Sequence, residues 1–342
     1  MIAIQNRSGE NGDEGIVLIV VLWVMTALAV LTLSFSRESR IEVMTAGNTR
    51  SMKKAYYIAR AGMESTIYQI IQKSITPAVQ TAAGMEEPDQ IDLGKVTGGF
   101  DSGFWQVNIQ DESGKININT VSEQQLGLLI RAAGIEDPDA LILTDSILDW
   151  RSNADAEPRD NGAKNDYYLS LNPPYIAKNG RFDAIEELLL VRGMTRDYFY
   201  GKPERAHDGT VEYKYGLSRF FTVYTTRDQI NVNHAALPVL LSIPGMAPEA
   251  ARMIYERRRI QPFRATAEIN REIPFQLGAG VINRLTTAQT GIFALTSEAH
   301  EEGSRVRHVI RAVISLDSTS MQNPYQILYW NENVSDYEGG TS

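Results

Sequence analysis

The run from Ile16 to Phe35, IVLIVVLWVMTALAVLTLSF, constrains this chain more than any other feature. It is twenty residues without a formal charge, enough to cross a hydrocarbon core as one helix. No proline follows until Pro77, so the helix need not end at the membrane. Met52, Ala55, Ala59, Met63, Ile67 and Ile70 recur at spacings of three and four, a stripe suited to packing on a sheet. A helix from Ile16 to Lys73 would be roughly 85 Å long, one half in lipid and the other on a soluble domain.

A polar leader, MIAIQNRSGENGDEG, precedes the apolar run and ends in Gly15, whereas a secretory signal places its small residues after the apolar core. Cleavage after Gly15 would leave Ile16 as a new N-terminus on an intact membrane helix. This arrangement resembles the class III signal of type IV pilins and pseudopilins, with two departures. The leader carries only Arg7 against Glu10, Asp13 and Glu14, where pilin leaders usually carry net positive charge. The fifth mature residue would be Val20, where most pilin-like subunits have a glutamate. An uncleaved signal anchor fits the helix equally well. Arg37, Arg40, Arg50, Lys53 and Lys54 follow the apolar run, which by charge alone would invert the chain. Pilin-like precursors share that basic shoulder.

With 342 residues, 43% of them hydrophobic, the chain can bury a full core and is long enough for two or three domains. It has no cysteine, which excludes thiolate metal sites, iron–sulfur clusters and disulfides, although the anchor predicts an extracytoplasmic body where disulfides could form. Stability must then come from packing, or from an ion. The net charge of −9 becomes −7 without the leader's one basic and three acidic residues, which argues against the whole molecule being a nucleic-acid binder.

From Ser74 to Gly99 proline, glycine and acidic residues predict a loop. Phe104 to Ile109, FWQVNI, alternates as a strand, and after the turn at Ser113-Gly114 the run Ile116 to Asn119, ININ, is expected to complete an antiparallel hairpin. The theme then repeats. TTRDQINVNHAALPVLLSIPGM, from Thr225, parallels DESGKININTVSEQQLGLLIRAAGI, from Asp111, and both continue into a helix ending in arginines, Ala140 to Arg151 and Ala250 to Arg259. Ile243-Pro244-Gly245-Met246 between two helices resembles a helix-hairpin-helix, and Val191-Arg192-Gly193-Met194 is a looser version. Such a turn brings backbone amides together and could receive a DNA phosphate. It serves equally as a compact helical hairpin, the plainer reading beside Glu249 and Glu256. After Gly291 three strands are expected, IFALTS, RHVIRAVISL and YQILYW, with a bulge in the second and polar turns at Glu298 to Ser304 and Asp317 to Asn323.

The loop from Asp149 to Tyr175 is the most acidic and polar. Asp149, Asn153, Asp155, Glu157, Asp160, Asn161, Asn165 and Asp166 offer enough hard oxygens for calcium, which takes about six to eight, though the spacing is not that of an EF-hand. By composition alone it is a solvated loop. A long loop in a cysteine-free body would nevertheless benefit from a cross-link that gathers its carboxylates. No catalytic pattern accompanies it. His207, His234, His300 and His308 show no zinc spacing, no GxSxG, GxxxxGK or GxGxxG run occurs, and Glu186 and Glu187 are expected on the solvated face of an amphipathic helix. The chain is not expected to be an enzyme.

The leader glycine before the apolar helix, DESGKININ, the loop LDWRSNADAEPRDNGAKNDYYLSLNPPY, IEELLLVRGM and INVNHAALPVLLSIPGM together resemble the minor pseudopilin GspK family of type II secretion systems. The likeness covers nearly the whole chain, and DYYLSLNPPY with the paired INxN strands is its specific part. It implies an α+β fold in which a long N-terminal helix lies on an antiparallel sheet and a large helical domain with helix-hairpin-helix-like units is inserted. The expected division is a leader, 1–15; a transmembrane part, 16–36; a pilin-like domain from 37–119, 218–233 and 290–331; an inserted helical domain, 120–217; a second helical segment, 234–289; and a polar tail, 332–342.

The family's calcium sites support an ion in the acidic loop, with Asp149, Asp155, Glu157, Asp160 and Asp166 as candidate ligands. The implied role is to cap the pseudopilus with the minor pseudopilins GspI and GspJ, after cutting between Gly15 and Ile16 by prepilin peptidase. The anchor would sit in the inner membrane and the body in the periplasm. Val20 is what a first subunit would carry, since in pilin-like fibres the glutamate is thought to neutralise the amine of the subunit above. The competing reading is a membrane-anchored helix-hairpin-helix protein that binds DNA through Arg257, Arg258 and Arg259, as in competence systems. A metal-dependent hydrolase using the acidic loop is a third.

Overall fold

The computed structural model describes residues 13–82, 94–205, 211–316, 323–332 and 334. Most of the leader, His207, the turn after Leu316 and most of the tail lie outside them. Helix α1 spans Asp13–Ala82. Every residue from Ile16 to Arg50 is exposed, and burial begins only beyond Ser51. The buried stripe is Ala55, Ile58, Ala59, Met63, Ile67 and Ile70, whereas Met52, expected in it, is 55% exposed, one turn before the first buried residue.

The stripe lies on a five-stranded antiparallel sheet of order β1-β2-β9-β10-β11, formed by β1 (Lys95–Phe100), β2 (Gly103–Asp111), β9 (Ile292–Glu301), β10 (Arg307–Leu316) and β11 (Tyr325–Asn331). Strands β3–β8 belong to the inserted body. Alternation in β2 sends Trp105, Val107 and Ile109 to the helix, where they join Phe293, Leu295, Ile310 and Ile314 in one apolar layer. Ser297 on β9 donates to the Ala59 carbonyl at 2.7 Å, so helix and sheet are also tied by a buried hydrogen bond. The bulge expected in β10 falls between Val313 and Ile314.

Two expectations fail here. The segment 95–100, read as loop, forms β1, because Gly98 lies opposite Trp105 and leaves its side chain room across the strand. The partner of β2 on its other side is β9, not the ININ run. Residues 112–291 are therefore one insertion between β2 and β9.

That insertion has its own core, in which residues of both repeated units pack together, among them Ile118, Leu126, Ile130, Val232, Leu240 and Ile254. The first unit runs from β3 (Ile116–Asn117) through α2 (Glu123–Ala132) and α3 (Asp139–Trp150). It continues through α4 (Asn165–Leu169), a 3-10 turn Ile185–Leu190, α5 (Arg196–Tyr200) and the hairpin β4 (Lys202–Arg205) with β5 (Val211–Lys214) to β6 (Phe221–Thr222). The second runs from β7 (Ile230–Asn231) through α6 (Leu237–Leu241), α7 (Pro248–Ile260), α8 (Thr266–Glu272) and α9 (Ala279–Ile282) to β8 (Leu285–Thr286). In each unit the INxN strand makes a two-residue parallel bridge to the unit's own last strand, β3 to β6 and β7 to β8. The expected place of 218–233 in the large sheet is thus corrected, and the two helical segments form a single body.

The asparagines explain why these short strands stay out of the sheet. Asn117 Oδ1 accepts from Asn119 N–H at 2.8 Å, and Asn231 Oδ1 from Asn233 N–H at 3.0 Å, folding each strand back on itself. Asn119 pairs through both amide atoms with the backbone of Phe182, and Asn233 does the same with Phe263. Arg151 and Arg258, at the ends of α3 and α7, donate to the carbonyls of Ile118 and Val232. The repeat read in the sequence is therefore a repeat of hydrogen bonds.

Candidate functional site

The first candidate is the bare half of α1. An 18-residue window of mean hydropathy 2.9, none of it buried, makes α1 long and apolar enough to cross a membrane. Gly15 and Ile16 lie in its first turn, with Ile16 61% exposed. Val20 lies one turn on and is 55% exposed, an apolar side chain on the helix surface.

The second is the acidic loop, which α3 feeds from the core. Asp149 is fully buried, and both its carboxylate oxygens are engaged by Arg159: Oδ1 by the guanidinium at 2.8 Å and Oδ2 by the backbone N–H at 3.0 Å. Gly162 permits that closeness, since a Cβ there would fall 1.9 Å from Asp149 Oδ2. Asn161 donates to Asp145, and the Gly162 carbonyl accepts from Arg192 at 2.8 Å. Beneath the loop, Trp150 meets Tyr168 edge-on and stacks on Phe182. Burial pushes the Tyr168 hydroxyl up to about 12, and that hydroxyl accepts from Arg192 N–H.

Of the five carboxylates expected to hold calcium, Asp155, Glu157, Asp160 and Asp166 are exposed, while Asp149 faces Arg159. No group of three acidic or imidazole side chains placed to share an ion occurs among the described residues. Calcium needs about six to eight oxygens, and this arrangement does not fit it. The residue that sequence reasoning passed over is Lys164. Its ammonium donates to the carbonyls of Asp149, Ser152 and Asn153 at 2.9, 3.2 and 2.7 Å, and to Ser152 Oγ at 2.8 Å. A lone lysine in an acidic loop carries no spacing signal that would have revealed this.

The third candidate is the pair of helical hairpins. Both turn on a glycine in the left-handed region, Gly134 with φ +93° between α2 and α3 and Gly245 with φ +85° between α6 and α7. The first unit's counterpart to Gly245 is thus Gly134, and Gly193 serves a separate turn after Ile185–Leu190. The arginines weighed for DNA have internal partners. Arg257 pairs with Glu272 at 2.5 Å, Arg259 with Glu256 at 3.4 Å, and Arg258 is spent on Val232. Glu187, expected on a solvated helix face, caps the 3-10 turn by accepting from Asp183 and Ala184 N–H and pairs with Lys178 at 2.6 Å. His234 is half-buried, and its loss of solvent lowers its pKa to about 4, with Arg258 adding to the effect.

Comparison with known proteins follows this geometry. The family described as Type II secretion system (T2SS), protein K matches residues 107–200, the end of β2 and the first helical unit. Type II secretion system protein K of Pseudomonas aeruginosa is 24% identical over 306 residues, covering 84% of this chain and 85% of that protein. The protein of the same name from Pectobacterium carotovorum is 27% identical over 215 residues, covering 56% and 61%. In fold, the chain is similar to one solved in the crystal structure of the GspK-GspI-GspJ complex from enterotoxigenic Escherichia coli. The TM-score is 0.59 at 16% identity, covering 84% of this chain and 99% of that one. Family model and curated relatives agree with the resemblance carried by the DYYLSLNPPY loop and the paired INxN strands, the fold agrees with them, and the chain is similar to protein K of type II secretion systems.

Proposed function

We propose that this chain is a minor pseudopilin that caps the type II secretion pseudopilus, assembling first, in a complex with GspI-like and GspJ-like subunits. The observation that carries the reading is the bare half of α1, exposed from Ile16 to Arg50, joined to a body whose insertion, residues 112–291, exceeds half the chain. An apolar helix of this kind packs with other helices in a bilayer. A body this large beside the sheet would collide with neighbours in a wound fibre and has room only at its end. Val20 agrees with that position. A carboxylate there would need a partner amine from a subunit above, and an unpaired charge in the membrane costs at least about 2.5 kcal/mol. The likeness to a chain solved with GspI and GspJ supports the choice of partners.

In this reading prepilin peptidase cuts between Gly15 and Ile16, the anchor stays in the inner membrane, and the body works in the periplasm. Intact-mass spectrometry of the chain purified from membranes is expected to find Ile16 as the N-terminus. The absence of cysteine lets a single introduced cysteine be labelled uniquely with gold, and the label is expected at one filament end. Label distributed along the filament, or a retained leader in cells that possess the peptidase, would overturn the proposal.

A further inference from the structure

We propose that the ammonium of Lys164 is the acidic loop's own cation, and that this chain closes the loop by an internal side-chain cross-link in place of a bound calcium ion. Four oxygens converge on Lys164 Nζ within 2.7–3.2 Å, three of them backbone carbonyls from Asp149, Ser152 and Asn153 and one the hydroxyl of Ser152. Carbonyl and hydroxyl oxygens are the neutral ligands of a hard cation, and here they are turned toward a charge supplied by the chain. The same contact places a cation at the C-terminal end of α3, where the helix dipole favours one, on a carbonyl that also accepts from Ser152.

Arg159 does the corresponding work for the carboxylate. It neutralises buried Asp149 from a position ten residues on, and Gly162 lets the chain pass against that carboxylate. Lys164 and Arg159 together tie residues 149–164 at two points, the geometry that a bridging metal would otherwise impose. A divalent ion brought into the same space would meet two fixed positive charges. The remaining candidate carboxylates, Asp155, Glu157, Asp160 and Asp166, are exposed.

The test uses the full chain in detergent. Calorimetric titration with calcium alone is expected to give no saturable heat, and the melting temperature is expected to be the same in calcium and in EDTA. Lys164→Met keeps the stem and removes the charge. Amides between Arg151 and Gly162 should then exchange about ten- to a hundredfold faster, the loss expected for charge-assisted bonds, with no recovery on adding calcium. A one-to-one calcium isotherm for the unaltered chain, a calcium-dependent rise in its melting temperature, or unchanged exchange in Lys164→Met would each overturn the proposal. The titration needs no variant, so the inference stays testable even if Lys164→Met fails to fold.

Discussion

Gly47 and Gly62 lie on the same helix, and alanine is expected to act on them with opposite sign. A Cβ at Gly62 would fall 2.7 Å from Cγ and Cδ2 of Trp105, where carbon pairs prefer about 3.5–4.0 Å. The ring has nowhere to recede, because its other end lies on Gly98 of β1, whose own Cβ position is 2.3 Å from Cζ2. Overpacking costs about 1–3 kcal/mol, and a ring held on both sides places this case near ~3. Alanine returns ~1 kcal/mol of helix propensity over glycine, leaving Gly62→Ala destabilising by ~2 kcal/mol. At Gly47 nothing lies within 4 Å of the added carbon, so only the favourable ~1 kcal/mol remains. Thermal unfolding of the full chain in detergent, followed by circular dichroism, should show a midpoint about 4–8 °C lower for Gly62→Ala. Gly47→Ala should leave it unchanged or higher. If the two variants behaved alike, α1 would not be seated on Trp105 and the helix-on-sheet assignment would be wrong.

Further expectations concern the inserted body. Replacing Asn119 by alanine leaves both the N–H and the carbonyl of Phe182 without their partner and should cost about 1–3 kcal/mol for two lost, partly buried bonds, read as a shift in urea midpoint; Asn233→Ala should act equally, through Phe263. His234 is held neutral by burial, so its folded pKa lies below the unfolded value. The stability this contributes is complete above about pH 6.5 and is lost as pH falls through that value toward the folded pKa of about 4. The unaltered chain should therefore lose up to about 3 kcal/mol more than His234→Leu between those limits, and parallel pH profiles would refute the assignment.

Legibility in the sequence followed periodicity. The stripe on α1 and strands β9 and β10 were readable because each carries buried apolar residues on a regular element, whereas β11 holds no buried residue and showed itself by its aromatic and aliphatic composition. The repeat was readable because INxN and the arginine-ended helices recur as strings. Its meaning was not, since an alternating ININ is equally a sheet strand until the asparagine amides are seen to bond Phe182 and Phe263. β1 was hidden by its two glycines, which weaken a strand signal, although Gly98 is needed under Trp105. The acidic loop displayed its carboxylates and concealed its cations, because what Lys164 and Arg159 do depends on where the chain returns.

Asp111 and Phe293 are register partners in the sheet, so the whole inserted body departs and returns across a single rung of the ladder. The sheet would close with a short connector in its place, and every rung below would keep its neighbours. What holds the body's attitude is then a small boundary region, where Thr290 donates to Asp111 at the end of β2 at 3.2 Å and Arg311 of β10 reaches Glu186 across 4.0 Å. The larger half of the molecule is carried like a lantern on a bracket, and changes at that bracket can tilt it while leaving both cores intact.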